Sequence, residues 1–179
     1  MHEASRTPSR PVSQARVVIA DADGVLHPAD VRLDQGRLPV FGPGLDGHYL
    51  FENASLLADL LAPHPDVRIL LSTSWVQVFG YQQTVTMLPQ VLRTRVIGSC
   101  FDPARHGPGY SQVARGYQVL EEVRRRGLTR WVALDDDARG WPEEIADRLI
   151  LTNPVLGIAG PCREQLERWL TETVPSAGR

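Results

Sequence analysis

Lysine is absent from this chain, because all 19 of its basic residues are arginine. A positive charge in any binding or catalytic site must therefore come from arginine or from one of the 5 histidines. The 21 acidic residues bring the net charge to −2. The chain thus lacks the overall positive charge that is typical of nucleic-acid-binding proteins, although net charge does not exclude a local basic patch.

Cysteines and long apolar runs are also scarce. The two cysteines, Cys100 and Cys162, lie far apart without metal-type spacing, so we expect buried small hydrophobic residues rather than a disulfide or a metal site. No apolar run approaches the length of a membrane span. The first 14 residues lack the hydrophobic segment of a secretory signal. We therefore expect a cytoplasmic protein without membrane association.

The remaining composition is typical of a folded soluble domain. The chain of 179 residues is 42% hydrophobic and 22% charged, and its length is sufficient for one substantial core. We expect residues 1–15 to form a flexible arm, residues 16–174 a single domain, and residues 175–179 a C-terminal tail.

Apolar runs alternate with amphipathic segments along the whole chain. Strands are predicted at residues 17–20, 67–71, 95–98, 130–134 and 149–152. Helices are predicted at residues 50–61, 81–92, 111–126 and 142–148, and from 161 onward. Pro89 is a candidate interruption of the second. We expect Ser111 to cap the third helix. The segment 27–49, dense in Gly, Pro and Asp, is expected to be an irregular surface excursion. This alternation predicts an α/β domain with a mainly parallel sheet.

Three of the five predicted strands end in acidic or hydroxyl-bearing residues. These residues are Asp21 and Asp23 after the first strand, Ser72–Ser74 after the second, and Asp135–Asp137 after the fourth. In a parallel sheet these ends lie on one edge, so we expect the clusters to converge. Converging carboxylates repel one another without a cation, and Mg²⁺ suits an open site with few carboxylates. The hydroxyl groups are suited to donate to phosphate oxygens.

These motifs resemble the four motifs of the haloacid dehalogenase (HAD) superfamily. They are Asp21-Ala-Asp23-Gly-Val, a Ser/Thr after the next strand, a basic residue early in a helix, and an acidic pair after a later strand. The resemblance extends from about Val17 to Leu170.

Finer details resemble a small bacterial branch of the superfamily that is associated with RNA-repair proteins. They are Leu-Ser-Thr-Ser-Trp75, Leu-Asp-Asp-Asp137 and Asn-Pro-Val-Leu-Gly157. The superfamily resemblance implies a Rossmann-like three-layer sandwich with a mainly parallel, five-stranded sheet. Only about 50 residues separate Asp21 from Ser72, which leaves room for a flap but not for a folded cap domain.

The resemblance also implies a role for each acidic residue. Asp21 would be the nucleophile that attacks phosphorus and forms an aspartyl-phosphate. Asp23 would protonate the leaving oxygen and then deprotonate the hydrolytic water. Mg²⁺ would be held by the Asp21 carboxylate, the Asp23 backbone carbonyl, and Asp135 or Asp136.

Thr73 would hydrogen-bond a phosphate oxygen, and Ser72 is the alternative if the strand ends one residue earlier. By itself, Thr73 also fits a helix cap or a turn. Arg115, early in a predicted helix, stands where the superfamily usually has a lysine, and it would bind the phosphoryl group. Arg105 in the preceding loop is the alternative to Arg115.

Two further residues are weaker candidates for substrate contact. His27 follows the first motif and would touch substrate or assist proton transfer, but stabilising a turn is the simpler interpretation. Trp75 follows the hydroxyl cluster and would stack on a base or sugar, but packing is the simpler interpretation for it.

The sequence therefore predicts a Mg²⁺-dependent phosphomonoester hydrolase. Its substrate would be a nucleotide, a nucleic-acid end or another phosphorylated molecule, and no feature specifies an oligomeric state. A catalytically silent binding or regulatory module is one alternative, favoured by arginine in place of lysine. A metal-independent carbon–halogen hydrolase is another, opposed by Asp23 and the acidic cluster, which that chemistry does not need.

Overall fold

The computed structural model describes residues 15–35 and 38–172. Nearly all of the predicted arm, and all of the predicted tail, lie outside these ranges, so the division into an arm, one domain and a tail stays a prediction. Within the described ranges, no helix combines the length and apolar character that a membrane crossing requires.

The elements follow one another in strand–helix alternation. The strands are β1 (Arg16–Ala20), β2 (Val31–Asp34), β3 (Leu38–Phe41), β4 (Val67–Leu71), β5 (Val96–Ser99), β6 (Arg130–Asp135) and β7 (Leu149–Leu151). The α-helices are α1 (Ala54–Leu61), α2 (Trp75–Phe79), α3 (Tyr81–Met87), α4 (Gln90–Arg93), α5 (Arg115–Arg126) and α6 (Arg163–Thr171). Two 3₁₀ helices span Pro108–Gln112 and Glu143–Arg148.

Five strands form one parallel sheet in the order β5-β4-β1-β6-β7. β1 lies at the centre, and all five of its residues are buried. Val18 and Ala20 face a core with residues of α1 and α6, whereas Val17 and Ile19 face a second core with residues of α5. A continuous apolar strand is expected where both sheet faces are covered. The prediction of a Rossmann-like three-layer sandwich is confirmed.

The register of the sheet brings the ends of its three central strands to one level. Ala20 at the end of β1 pairs with Leu71 on β4 and with Leu134 on β6. The next residues along the three strands are Asp21, Ser72 and Asp135. The predicted convergence of the acidic and hydroxyl clusters follows directly from this pairing.

The segment predicted to be irregular, 27–49, contains the antiparallel hairpin β2–β3. Its strands, Val-Arg-Leu-Asp and Leu-Pro-Val-Phe, are short and largely exposed, so they carry little of the apolar alternation that identifies a strand. The hairpin is a separate two-stranded sheet. As expected, the segment provides a flap rather than a folded cap domain.

Helix boundaries differ from prediction at several places. α1 begins at Ala54 instead of residue 50, because the chain turns at Phe51, whose φ is +61°. The helix α2 was not predicted. The interruption of the helix 81–92 near Pro89 agrees with prediction, and it separates α3 from α4. The prediction that Ser111 caps α5 is wrong, since Ser111 lies in a 3₁₀ helix and α5 begins at Arg115.

Both cysteines are free and buried, as predicted.

The loop after β7 holds the loop after β1 in place. The Thr152 hydroxyl donates to the Gly24 carbonyl at 2.6 Å, and the Ile158 amide donates to the Val25 carbonyl at 3.1 Å. Gly157 has a φ of +56°, and a Cβ there would lie 2.2 Å from the Val25 oxygen. The sequence Asn-Pro-Val-Leu-Gly157 therefore supports the loop that carries Asp23.

The close approach at Gly157 predicts a cost for any side chain. We expect Gly157→Ala to lower the free energy of unfolding by roughly 1–3 kcal/mol, because it combines a left-handed backbone with a backbone clash. Urea denaturation measures the change. Gly107→Ala is the matched control, because a Cβ at Gly107 meets no atom within 4 Å. Equal stability of the two variants would contradict the structural role of Gly157.

Candidate active site

A cavity of about 520 Å³ opens at the carboxyl edge of the sheet. Its charged lining residues come from the ends of β1 and β6 and from the first turn of α5: Asp21, Asp23, Arg115, Asp135, Asp136 and Asp137. This is the position at which open parallel sheets bind ligands. Every acidic residue of the predicted site therefore lines one cavity.

Asp21 and Asp135 are buried carboxylates that share one cation. Arg115 Nη2 donates to Asp21 Oδ2 at 3.2 Å, and Arg115 Nε lies 3.6 Å from Asp135 Oδ2. Burial raises the pKa of Asp21 to about 6 and that of Asp135 to about 7, although Arg115 opposes both shifts. One guanidinium is thus insufficient to hold both carboxylates fully charged near neutral pH.

The position of Arg115 follows from where α5 begins. Ala114 is extended and Arg115 is the first helical residue, so its side chain starts at the end of the helix that faces the cavity. Arg105, the alternative, hydrogen-bonds Asp102 and Glu122 instead. Of the two arginines proposed from sequence, Arg115 contacts the acidic cluster.

Asp23 is held by two buried side chains. Trp75 Nε1 donates to both carboxylate oxygens of Asp23, at 2.9 and 3.0 Å. His27 Nε2 lies 3.0 Å from Asp23 Oδ1. Because His27 Nδ1 accepts the Phe51 amide hydrogen at 3.2 Å, Nε2 carries the ring proton and donates to Asp23.

Neither His27 nor Trp75 presents much surface to a ligand. His27 is 0% exposed and Trp75 is 4% exposed. Their rings pack edge-to-face, with centroids 5.3 Å apart, and Phe51 packs against both. In this structure the substrate contact considered for His27 is closed off by burial, and the residue contacts Asp23 instead.

The three residues of the hydroxyl cluster, Ser72–Ser74, have different surroundings. The Thr73 side chain lies beside Asp21 and lowers the pKa of that carboxyl, and its oxygen accepts the Trp75 amide hydrogen at 3.3 Å. The Ser72 hydroxyl lies beside the Cys100 thiol and makes no hydrogen bond of good geometry within the described part of the chain. Ser74 lines the cavity. Of the two proposed phosphate ligands, Thr73 is the one next to Asp21.

The three acidic residues Asp135–Asp137 also differ in their surroundings. Burial raises the pKa of Asp136, and its side chain lies so close to Gly24 that a Cβ there would be 2.3 Å from Asp136 Cγ. Asp137 is paired with Arg139 at 2.7 Å, which lowers the pKa of Asp137. Asp135 and Asp136 are therefore better placed than Asp137 to bind a cation.

Among residues 15–35 and 38–172, no group of three or more acidic, histidine or cysteine side chains is arranged as a ready-made metal site. Mg²⁺ does not require such a group, because it is commonly held by one or two carboxylates together with water and phosphate oxygens. The donor set here is all oxygen, and two of its carboxylates are buried against one cation. The chemistry of these oxygen donors fits Mg²⁺, and Asp21, Asp135 and Asp136 are the residues that could supply side-chain ligands to it.

Three polar residues of the cavity were missed as site residues: Gln77, Ser111 and Gln118. Gln118 lies three residues after Arg115 on α5, a spacing that places both on one helix face. Its amide donates to the carbonyls of Tyr110 and Val113. Nothing in the sequence indicated Gln77 as a site residue, since the helix α2 that carries it was not predicted.

Comparison with known proteins supports the same architecture. Residues 17–161 match the family described as the HAD domain in Swiss Army Knife RNA repair proteins. Searches of the curated proteins and of the solved structures give no match. The matched residues include every acidic residue of the cavity, the hydroxyl cluster and Arg115. HAD domains are in general hydrolases of the phosphatase type, and this chain belongs to the HAD superfamily, in the branch that occurs in Swiss Army Knife RNA repair proteins.

Proposed function

We propose that the chain is a Mg²⁺-dependent phosphomonoester hydrolase that acts through a phosphorylated Asp21. The observation that carries the proposal is the shared cavity in which buried Asp21 and Asp135 contact the same guanidinium of Arg115. A nucleophilic carboxylate, a site for a divalent cation and a donor for phosphoryl oxygens are the components of this chemistry.

In the first step, an Asp21 carboxylate oxygen attacks phosphorus as the bond from phosphorus to the leaving oxygen breaks. Protonated Asp23 donates its proton to that oxygen, and the alcohol departs. In the second step, Asp23 accepts a proton from water while the water oxygen attacks phosphorus. The Asp21–phosphorus bond then breaks, which releases inorganic phosphate and restores the Asp21 carboxylate.

The other residues bind and orient the phosphoryl group. Arg115 and Thr73 both contact Asp21 in the structure, so each is within reach of a phosphoryl group placed beside it. Mg²⁺, when bound, would neutralise phosphoryl charge and favour the ionised form of Asp21. The contact of Arg115 with both carboxylates argues against the silent-module alternative.

The proposed substrate is a phosphorylated molecule that enters without closure of a folded cap. A nucleotide, a nucleic-acid end and another phosphomonoester all satisfy this requirement. The metal-independent carbon–halogen alternative gains no support from this geometry, because Asp23 is held by two donors and Asp135 faces Asp21.

The nucleophile and the acid–base residue predict two activity losses. With Mg²⁺ and an aryl phosphate, we expect Asp21→Asn to fall to background and Asp23→Asn to lose about 10²–10⁴-fold in kcat. Phosphate release measures both, and circular dichroism verifies folding. Asp59→Asn, at an exposed position of α1, should retain full activity. Full activity of Asp21→Asn, or an inactive wild type saturated with Mg²⁺, would refute the proposal.

Burial of Asp21 and Asp135 predicts that the metal-free protein loses stability as pH rises. Both folded pKa values, about 6 and about 7, exceed the ordinary value of 3.8. The contribution of these two carboxyl groups to the free energy of unfolding is therefore fully present below about pH 4 and is lost as pH rises through 6 to 7. Thermal melts across this range should show the decline, and Asp135→Asn should reduce it.

Mg²⁺ should reverse the loss at pH 8, because it binds the ionised carboxylates of the folded state. We expect a higher melting temperature for the wild type with Mg²⁺, and a much smaller increase for Asp135→Asn. Asp59→Asn again serves as the control. A wild-type melting temperature independent of Mg²⁺ at pH 8 would contradict the metal site.

Trp75→Phe keeps an aromatic ring but removes the indole donor that holds Asp23, the proposed acid. We expect the variant to impair proton transfer to the leaving oxygen. Alkyl phosphates depend on that proton more than nitrophenyl phosphate does. We therefore expect kcat for an alkyl phosphate to fall about tenfold more than kcat for nitrophenyl phosphate. Trp131→Phe, at another buried tryptophan, should leave the ratio unchanged. Equal losses on both substrates would indicate a purely structural role.

A further inference from the structure

The first turn of α5 is in close contact with the loop that follows β6. A Cβ placed at Gly116 would lie 2.6 Å from the Trp141 Cα and 3.1 Å from the Gly140 oxygen. Atoms that are not bonded to each other pack at about 3.5–4.0 Å, so the helix or the loop would have to move by roughly 1 Å to admit this one carbon atom. The contact thus depends on the absence of a side chain at Gly116.

The same contact also requires a glycine on the side of the loop. Gly140 has a φ of +70°, and a Cβ there would lie 2.5 Å from the Cβ of Ala114, the residue before α5. Ala114 and Gly116 are the two neighbours of Arg115 in the chain. The loop therefore approaches both neighbours of Arg115 so closely that neither contact admits a further carbon atom.

Backbone conformation does not explain the glycine at position 116. Gly116 is the second residue of α5, and alanine is the stronger helix former within a helix. Gly140, by contrast, has a left-handed backbone, which favours glycine in any surroundings. The close approach of the helix to the loop is thus the structural reason for Gly116.

The loop is also attached to the acidic cluster. The Trp141 indole donates to the Asp137 carbonyl at 3.0 Å, and the Asp137 amide donates to Asp135 Oδ1 at 3.0 Å. Contact with Trp141 therefore fixes α5 relative to the strand end that carries Asp135. The guanidinium of Arg115, at the start of this helix, lies 3.2 Å from Asp21 and 3.6 Å from Asp135.

Arg115 is the one basic side chain among the described residues that line the cavity. Its contacts with the two carboxylates are already at the long end of the range for hydrogen bonds and ion pairs. A further displacement of roughly 1 Å at the start of α5 would therefore separate the guanidinium from Asp21 and Asp135.

We propose that Gly116 and Gly140 are positioning residues for Arg115, and that their contact sets where its guanidinium meets the phosphoryl group. This inference rests on the proposed function, in which Arg115 binds phosphoryl oxygens beside Asp21. Neither glycine is a catalytic residue, because each acts through the start of α5. A misplacement of about 1 Å in an active site costs up to about 100-fold in rate, so the absence of these two side chains supports activity.

The first test is a double-mutant cycle on Gly116 and Arg115, measured as kcat/KM with an aryl phosphate and Mg²⁺. We expect Gly116→Ala to lower kcat/KM about 10- to 100-fold when Arg115 is present. In the Arg115→Gln background the same substitution should have less than about a twofold effect, because the residue through which it acts is absent.

Gly127→Ala, just after α5, is the matched control. Gly127 has a φ of +62°, and a Cβ there meets no atom within 4 Å. The substitution therefore strains the other end of the same helix without touching the loop after β6. We expect it to lower the melting temperature and to retain the kcat/KM of the wild type.

The second test restores the contact. Gly140→Ala should lower kcat/KM and weaken the binding of inorganic phosphate, which calorimetry measures with Mg²⁺ present. Ala114→Gly removes the carbon atom that the added side chain would meet, and glycine is well tolerated at the residue before a helix. Combining the two substitutions should recover at least about threefold of each loss. Backbone strain at Gly140 is the same in both variants, so strain alone predicts no recovery.

The outcomes separate the two proposals. Wild-type activity in Gly116→Ala and Gly140→Ala, an equal loss in Gly127→Ala, or an equal effect of Gly116→Ala without Arg115 overturns the positioning role and leaves the hydrolase function standing. If Gly116→Ala does not fold or Arg115→Gln is inactive, recovery by Ala114→Gly decides.

A wild type that hydrolyses no phosphate overturns the hydrolase function. Phosphate binding that Gly140→Ala weakens and Ala114→Gly restores would still support the positioning role in that case. A wild type that neither hydrolyses phosphate esters nor binds inorganic phosphate overturns both proposals.

Discussion

Two buried carboxylates, those of Asp21 and Asp135, face a single guanidinium at the edge of the central sheet. Burying a carboxylate is costly unless opposite charge or hydrogen bonds compensate it. Arg115 supplies part of that compensation, and Thr73 and the Ala22 amide supply more at Asp21. The remaining charge imbalance is the physical basis of the proposed cation and phosphoryl sites. The sheet register, which aligns β1 with β6, places Asp21 and Asp135 side by side.

Around that centre, the loop after β1 is fixed from several directions. Thr152 and Ile158 hold its backbone, while His27 and Trp75 hold the Asp23 side chain. Phe51 adopts a left-handed φ of +61°, a strained conformation for a bulky residue, and its amide donates to His27. Strain at this position thus coincides with the contact that sets the tautomer of His27.

Local patterns in the sequence were sufficient for the central sheet. A fully apolar run identified β1, and polar residues directly after β1, β4 and β6 located the cavity, because parallel strands present their carboxyl ends together. Arg115 was identified only with Arg105 as an alternative, since the start of α5 depends on the extended backbone at Ala114. The donors to Asp23 could not be assigned, because Trp75 lies 52 residues from Asp23 in sequence. The hairpin and α2 are short, and tertiary contacts rather than periodicity define them.

The two-stranded flap forms no backbone ladder with the five-stranded sheet. The acids and Arg115 depend on the large sheet and on α5, whereas Val31, Leu33 and Pro39 belong to the hairpin alone. Exchanging the hairpin strands for others of the same length would therefore leave the backbone hydrogen bonds of the central sheet, and the acidic residues at its edge, in place. The hairpin and the acidic cluster are thus structurally separable parts of one chain.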